Sequence, residues 1–270
     1  MATSTSTLAV NGEQIGLRQA GRPGRPAVFF FHSLGLSGAL WAPQFAAFED
    51  AYHLIAMDCR GHGASSNHGG FSVQACVDDA LALWRALGLS RAHVVGISMG
   101  GLMAARLAER LQAQDAGLRC DSVTLACSYR CADGAQTQAR IDATAARIHD
   151  EGMAAFARFY MDGTACVHLD ADLRARMAQA IAAMQPQDYL QTLAEILRHD
   201  AGPALACLQG LPVQVLSGAL DQRVSAQALQ DLLSALPQAR STVLARAGHL
   251  ANIEDPAGFN RALRSFWDAC

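Results

Sequence analysis

The sequence predicts an α/β fold, a mostly parallel sheet of eight strands with helices on both faces. Three observations carry that expectation. Apolar runs rich in β-branched and aromatic residues alternate along the chain with segments whose apolar residues recur at helical spacing. Most of the runs are continuously apolar, as strands covered on both faces should be. The chain has 270 residues, 51% hydrophobic and 17% charged, with a formal net charge of −3. That is enough for one large core, and too balanced a charge for a nucleic-acid or membrane surface.

Taken in order, residues 6–20 read as an opening hairpin around Asn11-Gly12, a pair suited to a tight turn. After the turn-rich GRPGRP, the run AVFFFHS at 27–33 reads as a buried strand, followed by a helix near 38–49 and a strand at 52–58. Val77, Ala80, Leu81, Trp84 and Leu87 mark a helix over 71–88, with Gly88 as its C-cap. A strand at 92–97, a helix at 100–113 and a strand at 121–127 continue the alternation. Between 130 and 205 the alternation stops. Four helical patterns occur there, near 134–150, 152–160, 170–184 and 186–199, so residues 1–129 and 206–270 form the core and 130–205 an inserted helical cap. The core pattern then resumes with a strand at 212–217, a helix at 225–236, a strand at 240–245 and a last helix from 256.

Composition excludes several chemistries. All 21 basic residues are arginine, which removes Schiff-base and pyridoxal-phosphate catalysis and the lysine-bearing phosphate loop. The opening MATSTSTLAV has neither the charge nor the apolar stretch of a signal peptide, and no later run is long enough to span a membrane, so a cytoplasmic location is expected. The eight cysteines are irregularly spaced and read mostly as small buried hydrophobes, without the paired spacing of a zinc site. No metal or cofactor is expected, and the partner is a small-molecule substrate. A monomer and a homodimer both remain open.

The chemistry gathers around GISMG at 96–100, a G-x-S-x-G turn lying between a buried strand and a helix. Such an elbow lifts a serine hydroxyl above the sheet, and the helix start behind it directs free N–H groups and positive potential to the same place. Ser98 is therefore the candidate nucleophile. A hydroxyl needs a base, and the base needs an orienting acid. His249 follows the strand at 240–245 in the loop RAGHLAN, at the sheet edge where sites in open α/β sheets collect. His32 also ends a strand but precedes the usual order of serine, acid, histidine; His53, His93 and His199 fall at element starts or on exposed faces. Asp221 stands just past the strand at 212–217 and is the candidate acid; Asp121 lies at the wrong end of its strand, and Asp58 braces the CRGHG turn. A backbone N–H from 31-FHSLGLSG-38 and that of Met99 would hold an oxyanion.

With HSLGLSG, DCRGHGAS, GISMGG, the post-strand Asp221 and AGHL in this order, the chain resembles the α/β-hydrolase fold over nearly its whole length. The combination of HSLG, LWAPQ and RGHGAS is most similar to 3-oxoadipate enol-lactonases and their relatives. The resemblance implies Ser98, Asp221 and His249 as a triad, Leu34 and Met99 as amide donors to the oxyanion, and Ser33, where many relatives have glycine, as a substrate-binding residue. It makes 130–205 the cap that shapes the pocket. Arg140 falls on a family pattern there, with Thr137 where a tryptophan is expected; it either pairs with a substrate carboxylate or faces solvent. The expected activity is hydrolysis of a small ester or lactone. The same triad also serves C–C bond hydrolysis, perhydrolysis or cofactor-free oxygenation, and a small-molecule receptor on this fold is the non-enzymatic alternative.

Overall fold

The computed structural model describes residues 3–114, 117–132, 134–165 and 169–270. β1 (Ser4–Val10) and β2 (Glu13–Ala20) form the opening hairpin. Its turn residues Asn11 and Gly12 have φ of 49° and 80°, the left-handed conformation that matches the twist of paired strands. β3 (Ala27–Phe31), β4 (His53–Met57), β5 (Arg91–Ile97), β6 (Arg119–Ala126), β7 (Val213–Gly218) and β8 (Arg240–Leu244) complete one sheet of order β1-β2-β4-β3-β5-β6-β7-β8. Only the β1–β2 and β2–β4 pairings are antiparallel.

β3 shows how the sheet holds its two layers. Phe29 meets Trp84 of α2 (Val73–Ala86) at 5.8 Å, whereas Phe30 meets Trp41 at 4.8 Å and Phe45 of α1 (Ala42–Phe48) at 5.8 Å. Successive side chains point to opposite faces, so a run of apolar residues anchors a helix on each side. The segment expected as one helix over 38–49 is divided, with a 3-10 turn at Gly38–Trp41 leading into α1. Pro43 explains the boundary: it is tolerated in the first turn of a helix and disrupts an interior.

α3 (Met99–Gln114) follows β5, and the helices α4 (Gly134–Asp162), α5 (Ala171–Ala182) and α6 (Pro186–Arg198) lie between β6 and β7, where four helical patterns were expected. The first two of those patterns are one element kinked at Gly152, whose φ of 78° and ψ of 162° are not helical. α5 and α6 both pack on α4. The short α7 (Gly202–Ala206) precedes β7; five residues are too few to leave a periodic signal. α8 (Ala226–Ala235), α9 (Ala251–Glu254) and α10 (Pro256–Trp267) finish the chain. Among the described residues no helix is long and apolar enough to cross a membrane.

Of the seven described cysteines, Cys59, Cys76, Cys120 and Cys127 are buried, while Cys131, Cys207 and Cys270 are exposed; Cys166 lies outside the described residues. His53 opens β4 and His93 lies near the start of β5, as expected, and both are buried, because β4 and β5 are interior strands covered on both faces. His199 departs from the expectation: it is half-buried and caps the C-terminal end of α6.

Candidate active site

The parallel strands end at one level. Register pairs Phe31 with Gly96, Ile97 with Ala126, and Ala126 with Leu216, so the loops after β3, β5, β6 and β7 open on the same rim. Ser98 occupies the tip between β5 and α3 with a φ of 55°, a left-handed conformation in a residue other than glycine. Its backbone is held from two directions. The Ser98 N–H donates to the Ala126 carbonyl at 2.8 Å, and the Ser98 carbonyl accepts from Gly101 N at 2.9 Å and Ser128 Oγ at 2.9 Å. Strain of this kind persists only where surrounding bonds over-determine it.

The bracketing glycines answer to space. A Cβ on Gly96 would stand 2.0 Å from the Gly100 carbonyl oxygen, and one on Gly100 would stand 2.3 Å from the carbonyl oxygen of Phe31. Strand, elbow and the start of α3 thus approach more closely than any side chain permits. That contact sets the β3 loop beside the nucleophile.

The Ser98 hydroxyl lies 2.8 Å from His249 Nε2, and His249 Nδ1 lies 3.0 and 3.1 Å from the two Asp221 carboxylate oxygens. The carboxylate accepts at Nδ1, so the imidazole carries its proton there and leaves Nε2 free to take the serine proton. Asp221 Oδ1 also accepts the backbone N–H groups of Arg223 at 2.7 Å and Val224 at 3.1 Å. Burial alone would raise the Asp221 pKa, but the His249 hydrogen bond and charge, with the two backbone donors, outweigh it and hold the carboxyl below its ordinary value. Three residues distant in sequence therefore form one continuous hydrogen-bonded chain.

Leu34 and Met99 supply the amides beside Ser98. Among the described residues neither N–H has a backbone acceptor, and Met99 opens α3, whose positive end favours a developing anion. His32 determines how the Leu34 amide points. Its Nε2 accepts from Cys59 N at 2.9 Å, which leaves the proton on Nδ1 to donate to the Ser33 carbonyl at 2.8 Å. That carbonyl shares a planar peptide with the Leu34 N–H, so pinning one directs the other the opposite way. His32 is fully buried, and burial lowers its pKa; burial and then the neighbouring His32 push His62 down to about 3. Both rings stay neutral and structural. Asp58 braces its turn as expected, accepting Gly38 N at 2.7 Å and Ala64 N at 2.9 Å.

A cavity of about 290 Å³ opens above this chain, with Leu34, Ser98 and His249 on its floor and Tyr129, Tyr160 and Ile196 among its walls. Its size suits a small substrate. A larger hollow of about 600 Å³ lies at the opposite ends of the strands, near Ala27, His53, Arg91 and Asp121, and does not reach Ser98. Arg140 lines the smaller cavity from α4 and is also exposed, so the two readings of it are compatible. Ser33 is not on that wall; it is buried, with its hydroxyl unpartnered. Among the described residues no cluster of His, Cys, Asp or Glu could hold a metal ion.

Residues 26–256 match the family described as alpha/beta hydrolase fold. The chain belongs to that family. Among α/β hydrolases it is 29% identical over 266 residues to 3-oxoadipate enol-lactonase 2 of Acinetobacter baylyi, covering 96% of this chain and 95% of the relative. It is 31% identical over 252 residues to a Caulobacter segnis protein that bears the name of a carbamate hydrolase, RutD, with 90% and 91% covered. The crystal structure of the enol-lactonase from Burkholderia xenovorans LB400 superposes with a TM-score of 0.85 at 26% identity, over 97% of this chain and all of that one. The chain is thus a hydrolase of the α/β fold.

Sequence reasoning missed several residues at this α/β-hydrolase site. Ser128 braces the elbow, Tyr129 and Tyr160 wall the cavity, and Arg223 reaches it from the loop of the acid. Arg223, two positions after Asp221, and Ser128 and Tyr129, just past the strand expected at 121–127, left the signal of a loop at the strand ends. Tyr160 left none, since it depends on how α4 folds over the rim.

Proposed function

We propose that this chain hydrolyses small esters or lactones through an acyl-enzyme formed on Ser98. The carrying observation is the unbroken Ser98–His249–Asp221 hydrogen-bond chain on the floor of a small cavity. Ser98 Oγ attacks the substrate carbonyl as His249 Nε2 accepts its proton, and the amides of Leu34 and Met99 stabilise the oxyanion. Collapse breaks the carbon–oxygen bond, with His249 returning the proton to the leaving oxygen. Water, deprotonated by the same nitrogen, then releases the acid. In a lactone the leaving oxygen remains tethered to the acyl group. The enol-lactonase relatives favour a lactone bearing a carboxylate, which Arg140 would pair.

A carbamate is the second candidate, favoured by the identity to the protein named as a carbamate hydrolase. The test is a screen of 4-nitrophenyl esters, enol-lactones, carbamates and ring-cleavage diketones with the wild type and Ser98→Ala. The variant should lose at least ~10³ in kcat on the accepted substrate. Unchanged turnover would remove Ser98 as nucleophile.

A further inference from the structure

The cavity beside Ser98 is lined by two arginines, Arg140 from α4 and Arg223 from the loop of Asp221, and among the described residues no Asp or Glu lines it. The two differ in how they are held. Arg140 is exposed and its guanidinium has no hydrogen bond or ion pair among the described residues. Arg223 is half-buried and tethered. Its Nε donates to Thr164 Oγ1 at 2.9 Å, its Nη2 donates to the Tyr160 carbonyl at 3.1 Å, and its guanidinium carbon sits 4.6 Å from the centre of the Tyr160 ring.

Every one of those partners is neutral, so they orient the charge without cancelling it. A guanidinium has five N–H donors. Two are occupied by the tether, and both hydrogens on Nη1 have no acceptor among the described residues. Asp221 does not absorb the charge either: it takes the Arg223 backbone N–H and bonds His249, with no ion pair to the Arg223 side chain among the described residues. Burying part of a cation without a counter-charge is costly unless a ligand supplies one.

We propose that Arg223 is the fixed anion anchor of this pocket, binding a carboxylate on the substrate, with Arg140 as an adaptable auxiliary. Thr164 and Tyr160 hold the guanidinium of this cavity-lining residue in place, and preorganisation lets it bind a carboxylate with little further ordering. The anchor deepens the reading of Ser98 as nucleophile, on which it rests.

Binding to the Ser98→Ala protein separates recognition from reaction. Calorimetric titration with monomethyl glutarate and with neutral methyl pentanoate compares Ser98→Ala alone and combined with Arg223→Gln, Arg223→Lys, Arg140→Gln or Thr164→Val. Arg223→Gln should weaken the charged ligand at least ~10-fold and the neutral one less than ~2-fold, with Arg223→Lys and Arg140→Gln intermediate. Thr164→Val should preserve most of the preference, because it loosens the tether and keeps the charge. Equal losses for both ligands, a Thr164→Val effect as large as that of Arg223→Gln, or no initial preference for the charged ligand would each overturn the anchor. Failure of the catalytic reading would show separately, as ester turnover that survives Ser98→Ala.

Discussion

Replacing Asp221 with asparagine is the sharpest test of how the site keeps its base. Asp221 Oδ1 accepts from Arg223 N at 2.7 Å and Val224 N at 3.1 Å, so the amide oxygen of the introduced asparagine must take that place. The NH₂ group then occupies the Oδ2 position, 3.0 Å from His249 Nδ1. Reversing the amide would turn its NH₂ toward two backbone donors and lose both bonds, about 2–6 kcal/mol by the usual cost of unpaired buried groups. Moving the imidazole proton to Nε2 costs far less. The proton then sits on the nitrogen 2.8 Å from Ser98 Oγ, which can no longer accept from the serine. We expect kcat to fall ~10⁴-fold, about 5.4 kcal/mol in the barrier, with the melting temperature nearly unchanged because the isosteric amide keeps both backbone bonds. Stopped-flow release of 4-nitrophenol from a short-chain ester at neutral pH measures it. A loss below tenfold in a folded variant would refute the assignment of Asp221 as the orienting acid.

Two further outcomes follow from the geometry. Gly100→Ala places a methyl 2.3 Å from the Phe31 carbonyl oxygen and 2.8 Å from that of His32, with backbone on every side. It should lower stability by about 3 kcal/mol or more and activity further still, since the displaced chain carries the Leu34 amide; a wild-type melting curve would contradict the close approach. Glu13 should make the fold acid-sensitive. Burial would raise its pKa, but bonds from Ser66, Gly69 and His68 and the charge of Arg60 together lower it from 4.5 to about 2. The native state therefore binds this proton less readily than the unfolded chain, so the stabilisation is complete above the unfolded value and is lost as pH falls from 4.5 toward about 2. Urea melts across that range should show the wild type and Glu13→Gln converging, and parallel curves would dismiss Glu13 as the cause.

Much of this was written locally. Asn11-Gly12 specifies a turn by its own backbone preferences, and the continuous run of Phe29, Phe30 and Phe31 specifies a strand that must be covered on both faces. Gly96 and Gly100 around Ser98 name an elbow because the crowding at Gly96 is against Gly100 and Gly101, its near neighbours in sequence, whereas the approach of Phe31 to Gly100 came only with the structure. His249 and Asp221 could be chosen by their positions just past strands, since parallel strands send every such loop to one rim. The helical wall of the pocket was not legible. Tyr160 and Ile196 reach the cavity beside Ser98 only because α4 and α6 lie over the rim, and no periodicity encodes that placement. His32, set aside on chain order, has both of its nitrogens committed to backbone partners, which only the structure could show. Sequence alone determined which side chains could react, because that chemistry belongs to residue type and strand end. Tertiary structure decided which of them share a proton and what charge the substrate meets, because those depend on distances between segments well separated along the chain.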